Sequence, residues 1–331
     1  MRPGYGGLRA ASLGVLIGIV GAAGGCSSRP RPPKIGVSVA TMQEAVYSFM
    51  RRAMLEKSAA DGSDLIWVSA ENSEAKQKSD VEGLIAQGVD VLILHAVNTA
   101  TAGELVREAV AAGIPVIAMD RLPVGASVAL YVTADSRRVG QLQAQYLAEK
   151  LGGKGGVVLL EGEDGNSVAR EITRGNLETL AKYPDIKIVL RRSHKNWARD
   201  LARMTTEDAF AHDKGGIQGI LANNSGMAMG ALEAVESRHL PAPVYVIGAD
   251  ADRDACEALA AGRLAADVDK MPTEIARATY EAAQRVIRGG SAGGDATIDN
   301  EGAKVAVRLV PVRLITPENV RPVMEYRWGT L

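Results

Sequence analysis

Two acidic residues stand just past apolar runs in corresponding parts of the chain: Asp120 ends the stretch 115–120 and Asp250 follows 244–249. Arg121 adjoins Asp120, so a carboxylate acceptor lies beside a five-donor guanidinium fork. Asn224 comes shortly after the apolar run 217–221, and Arg170 after the polar stretch 161–166. Trp197 sits in a polar segment of a chain with only 4% aromatic residues, so it has little reason to be core. Carboxylates, amides and guanidinium forks suit adjacent hydroxyl pairs, and an indole suits an apolar C–H face. This is equipment for gripping a small polyhydroxylated solute such as a sugar. Each residue also has a plain structural reading. Asp120 and Arg121 could be a surface pair, Asn224 and Asp250 helix caps, Arg170 a solvated helix start, and Trp197 a wedge against the next helix.

Other chemistries find little support. His95, His194, His212 and His239 are scattered without ligand spacing, so no metal site is expected. His194 reads as a surface residue between Arg192, Ser193 and Lys195. The run 289–293 matches G-x-S-x-G formally, but it follows a helical pattern and enters a glycine-rich loop, whereas a nucleophile elbow needs a strand before it. The glycines around Lys154 lack nucleotide-loop spacing, and no cofactor is expected. No carboxylates form an acid and base set, so an enzyme is not expected. Lys and Arg total 38 against 39 Asp and Glu, with no basic block to track a phosphate backbone, so nucleic acid is not an expected partner.

These groups need elements to position them. From Lys34 onward, short β-branched runs alternate with longer amphipathic stretches, the pattern of parallel strands joined by crossover helices. Strands are predicted at 34–39, 65–69, 89–94, 115–119, 129–133, 156–160, 186–190, 217–221, 244–247 and 264–268. That exceeds one sheet of common size, so two sheets are implied, traversed in a similar order. Ligands of doubly wound sheets bind beyond the carboxyl ends of the strands, where the candidate residues lie. The segment 289–302 reads as a loop, 304–314 as a last strand pair, and 322–331 shows no period.

The N-terminus reads as an export signal, with Arg2 and Arg9 before the apolar stretch 10–20 and small residues running into Cys26. Ala23-Gly24-Gly25-Cys26 resembles the bacterial lipobox, which implies a diacylglycerol on the Cys26 thiol. The alternative is a plain secretory signal with an incidental cysteine. Residues 27–33 make a polar, proline-bearing tether. Cys256 then remains alone, which excludes an intramolecular disulfide, and its surroundings predict a buried, inert thiol.

Residues 39–41, Asp120-Arg121, 167–170, Asn223-Asn224, Gly248-Ala-Asp250-Ala-Asp252, Lys270-Met-Pro272 and 313–317 together resemble the type I periplasmic sugar-binding proteins. Their order and spacing are most similar to the xylose-binding branch. The most specific element is 113–121, and the resemblance covers 34–320. It implies that Asp120 and Arg121 hold sugar hydroxyls from one lobe, Arg170, Asn224 and Asp250 from the other, with Trp197 stacking on the ring and Lys270 contacting it from the hinge. The first loop lacks the basic residue and tryptophan of that branch. Gln43, Glu44 or Tyr47 could substitute, Tyr47 being equally suited to the core. The Asn pair of the branch appears only as Asn166-Ser167, which counts against xylose itself.

The expectation is therefore an α/β chain of two Rossmann-like lobes with parallel sheets, the type I periplasmic-binding-protein fold. A signal at 1–25 and tether at 26–33 precede an N-terminal lobe of 34–133 plus 270–300, a C-terminal lobe of 134–269 plus 301–321, and a tail at 322–331. The N-terminus implies export to the periplasm or the outer cell-surface side with a lipid anchor, and the family resemblance implies a monomer that closes on a monosaccharide or polyol and serves an ABC permease with its ATPase. A lipoprotein feeding a chemoreceptor or sensor kinase is the alternative.

Overall fold

Parallel strands covered on both faces by helices must be apolar along their length, and the central strands here are. In the computed structural model the first sheet is built from β1 (Lys34–Val39), β2 (Asp64–Ser69), β3 (Val91–Leu94), β4 (Val116–Met119) and β5 (Leu130–Ala134), and every residue of β3, β4 and β5 is buried. Helices α1 (Ala45–Asp61), α2 (Glu74–Ala86) and α3 (Gly103–Ala111) connect the first four strands. The structure describes residues 31–43, 45–212, 216–238 and 240–328, with Met1, Pro3, Gly4, Gly6 and Gly7. Cys26, most of the export signal and of the tether, Glu44, His239 and the last three residues lie outside them.

The chain then crosses to a second sheet through α4 (Ser136–Lys150), β6 (Lys154–Glu161), α5 (Ser167–Leu180), β7 (Asp185–Ser193), α6 (Arg199–His212), β8 (Ile217–Ala222), α7 (Ser225–Glu236), β9 (Tyr245–Ile247), α8 (Arg253–Ala260) and β10 (Asp267–Asp269). It returns to pack α9 (Pro272–Ile287) on the first sheet and adds β11 (Ala296–Asn300) and β12 (Ala303–Val310) there. A last passage gives β13 (Arg313–Ile315), antiparallel to β10, and α10 (Val320–Trp328). The order is β11-β12-β5-β4-β3-β1-β2 in the first sheet and β7-β6-β8-β9 in the second. Both therefore share one winding: the first strand has the second on one side and the third on the other. Both sheets belong to one compact unit that starts at Pro32.

Three expectations need correction. The segment 289–302 is not all loop, because β11 pairs antiparallel with β12. Its strand ATIDN is an edge, largely exposed, and so lacks an apolar signature. Residues 301–310 do not go with the second sheet, since β12 runs parallel to β5 of the first. The stretch after 320 is helical, with Val320, Val323, Met324 and Arg327 on its buried face. The helical period is present there but hidden, because its last member is an arginine.

Helices α4 and α5 approach closely through glycines. A Cβ on Gly140 would lie 1.9 Å from the Ile172 carbonyl oxygen, and one on Gly175 would lie 2.1 Å from that of Arg137. No helix of the described residues is long and apolar enough to cross a membrane.

Candidate functional site

Asp120 is placed by a sharp turn at the end of β4. Its φ of 62° is left-handed, and the strain is held by three bonds to β5. Its N–H donates to the Val132 carbonyl at 2.7 Å, and its own carbonyl accepts from the Tyr131 hydroxyl at 2.8 Å and the Thr133 hydroxyl at 3.3 Å. The carboxylate lies 3.4 Å from Nε2 of His95, the residue just past β3. Burial by itself would raise this carboxyl, but hydrogen bonding to His95 with the charges of Lys270 and Arg121 outweighs it and holds it down to about 2. His95 is buried, and burial with the Arg121 charge pushes its pKa down. A neutral ring facing a carboxylate through Nε2 carries its hydrogen there. Nδ1 is then an acceptor, and it has no hydrogen-bond partner among the described residues. Arg121 directs Nη1 to the carbonyls of Ala96 and Val97 at 3.2 and 3.3 Å.

From the second sheet, β9 runs into consecutive left-handed residues, Asp250 at φ 110° and Ala251 at φ 53°. This turn is clamped from beneath by Asp267, whose Oδ1 accepts from the Ala251 N–H at 2.9 Å, while Ser225 Oγ accepts from the Asp252 N–H at 3.2 Å. Asp267 is fully buried, and burial pushes its pKa well up. The Asp250 carboxylate points to Lys270, with Nζ to Oδ1 2.7 Å. It caps no helix: the cap position of α8 is Asp252. Burial raises the Asp250 pKa, against the opposing charge of Lys270 and with the like charge of Asp120. Burial alone would lower the Lys270 pKa, yet the two carboxylates overcome it and keep the ammonium charged.

Lys270 stands in the second crossing between the sheets and 5.7 Å from the centroid of the Trp197 ring. Trp197 belongs to a 3-10 turn, Lys195–Trp197, and has φ 56°. Its six-membered ring lies over Gly162, where a Cβ would come within 2.5 Å of the indole carbons. His194 secures this turn. It is buried rather than surface-exposed, because its ring fills the space between β6 and α6, 3.0 Å from the Glu161 carbonyl and 3.0 Å from Thr205 Oγ1.

The fold thus brings together Asp120, Arg121, Trp197, Asp250 and Lys270. Asn224 is half-buried and caps α7, accepting from the Met227 N–H at 2.8 Å. Arg170 is exposed on the first turn of α5. The weaker candidates have other duties. Asn166 caps α5 through the N–H groups of Val168 and Ala169, Tyr47 is core and meets His95 edge-on at 5.1 Å, and Gln43 is exposed. Glu44 lies outside the described residues. His95 was missed as a site residue, although it stands at the carboxyl end of a strand as Asp120 does. Among the described residues no group of three or more His, Cys, Asp or Glu could hold a metal ion.

The periplasmic binding protein domain matches residues 35–291. The chain belongs to this family. Among members of the periplasmic binding protein family, the ribose import binding protein of Bacillus subtilis is 32% identical over 258 residues, covering 77% of this chain and 82% of that protein. A xylitol-binding protein of Mycolicibacterium smegmatis is 32% identical over 305 residues, 92% of this chain and 83% of that one. A solved ABC transporter solute-binding protein of Bacillus halodurans with bound myo-inositol superposes with a TM-score of 0.77 at 27% identity, over 89% of this chain and 98% of that one. The likeness spans ribose, xylitol and D-xylose binders, so the xylose branch receives only weak support.

Proposed function

We propose that this chain is the solute-binding component of an ABC-type importer, taking a monosaccharide or small polyol between its two lobes. The observation that carries this reading is the Asp120, Lys270 and Asp250 array. It draws one carboxylate from each sheet and an ammonium from a crossing between them, next to an indole face. A solute whose hydroxyls engage both carboxylates is bound better by the closed arrangement, so it shifts the population from open to closed. Arg121 supplies donors from the first lobe, Asn224 and Arg170 from the second, and Trp197 stacks on the C–H face. Relatives named for ribose and xylitol, and a neighbour holding myo-inositol, support the polyol class.

The role is binding without turnover, in keeping with the family. Membership of a periplasmic binding protein family and the N-terminal signal support export to the periplasm. Attachment through a lipid on Cys26, a monomeric state and delivery to a permease with its ATPase complete the proposal. Calorimetry against ribose, xylose, xylitol and myo-inositol tests it. Saturable heat with at least one, and unchanged solute recovered by mass spectrometry, is expected. Silence with all four rejects the polyol reading.

A further inference from the structure

We propose that Arg327, on the C-terminal helix, is a positioning residue that sets both halves of the Asp250–Lys270 pair. The proposal rests on the solute-binding reading, since these are the groups it would place against the solute. Arg327 is only 6% exposed. Its Nη1 donates to the carbonyl of Asp250 at 2.9 Å and to that of Ala251, and its Nη2 donates to Oδ1 of Asp269. One planar fork therefore spans the left-handed turn that carries Asp250 and the residue that precedes Lys270.

Asp269 extends this hold. It is buried, and Oδ1 also accepts from the Met271 N–H at 2.8 Å while Oδ2 accepts from Arg313 Nη2 at 3.0 Å. Met271 has φ 55° and leads into α9. Lys270 thus sits between a residue bonded to Arg327 and a strained residue bonded to that same carboxylate. The Asp250 turn has its N–H side fixed by Asp267 and Ser225, and Arg327 fixes its carbonyl side. Lysine cannot repeat this, because an ammonium lacks the planar fork that reaches carbonyls and carboxylate together. The guanidinium is flanked by Phe49 of α1 at 5.6 Å and by Trp328 at 5.9 Å.

The test compares Arg327→Lys and Arg327→Gln with Phe49→Leu, which strips one flank but leaves the fork. Hydrogen exchange is followed in the solute-free protein, and affinity is measured for ribose, xylitol and myo-inositol. Both Arg327 variants are expected to exchange the Ala251, Asp252 and Met271 amides roughly tenfold faster, with β3 and β8 unchanged. Affinity for whichever probe the wild type binds is expected to fall by at least about tenfold, against less than about threefold for Phe49→Leu. Unchanged exchange at the three amides, or faster exchange spread evenly over the chain, overturns the proposal. So does full affinity in Arg327→Lys. A wild type that binds none of the three probes overturns the solute reading instead, and the exchange comparison still decides what Arg327 holds. If Arg327→Gln does not fold, Arg327→Lys carries the test.

Discussion

Lys270 reaches Asp250 at 2.7 Å while its ammonium stands 5.7 Å from the Trp197 ring centroid, so one side chain joins the acidic and aromatic parts of the site. The Lys270 side chain is 14% exposed and that of Asp250 is 27% exposed, which makes the pair costly to break from one side.

Asp250→Ala should therefore abolish solute binding and also destabilise the empty protein, by about 3 kcal/mol, because a largely buried ammonium loses its partner. Adding Lys270→Met should recover most of that stability without recovering binding. Urea denaturation of the two single variants and the double variant measures both effects. Equal, additive losses would show that the pair is not coupled.

Asp120 predicts an acid limb. Its folded pKa of about 2 lies below the unfolded value, so its contribution is complete above about pH 4 and disappears as pH falls toward 2. The size is about 2 kcal/mol. Asp120→Asn should flatten stability against pH across that window, as read by thermal melts from pH 5 to pH 2. A slope as steep as that of the wild type would contradict the assignment.

Gly162→Ala should push the indole of Trp197 from its seat. A shift in tryptophan emission and roughly tenfold weaker solute binding are expected, with folding retained. Unaltered emission would mean that the ring has room to spare.

Gly140→Ala and Gly175→Ala place a methyl against backbone at the α4–α5 contact. Each should cost about 2–4 kcal/mol of stability, since backbone cannot yield as a flexible side chain can. Once folded, such variants should bind solute normally, because neither glycine contacts a site residue.

Cys256 is buried and its thiol is pushed up to about 12 by burial and nearby carboxylates. Iodoacetamide should leave it untouched in the native protein at pH 8 and alkylate it readily in urea. Fast native labelling would show that the thiol is reachable.

Much of this was legible from the order of residues, for a physical reason. Strands buried on both faces must be apolar along their length, so their ends, and with them Asp120 and Asp250, can be located. Structure that depends on partners distant in the chain was not legible. His95 gains its role from a carboxylate 25 positions away, and His194 is buried by Glu161 and Thr205 despite charged sequence neighbours. β10 is three residues long with an acid at each end, unlike an apolar strand, so Lys270 came to notice through resemblance alone. Arg327 was hidden because a buried helix face is normally recognised by its apolar members.

β12 lies between β5 and the edge strand β11, yet it is reached only after the chain has formed the whole second sheet. No single cut in the polypeptide can part the seven strands of the first sheet from the second sheet. A fragment ending near residue 135 would lack β11, β12 and α9, and would have to associate with the remainder to complete the larger sheet. The larger sheet is therefore inherited and completed only together with the smaller one.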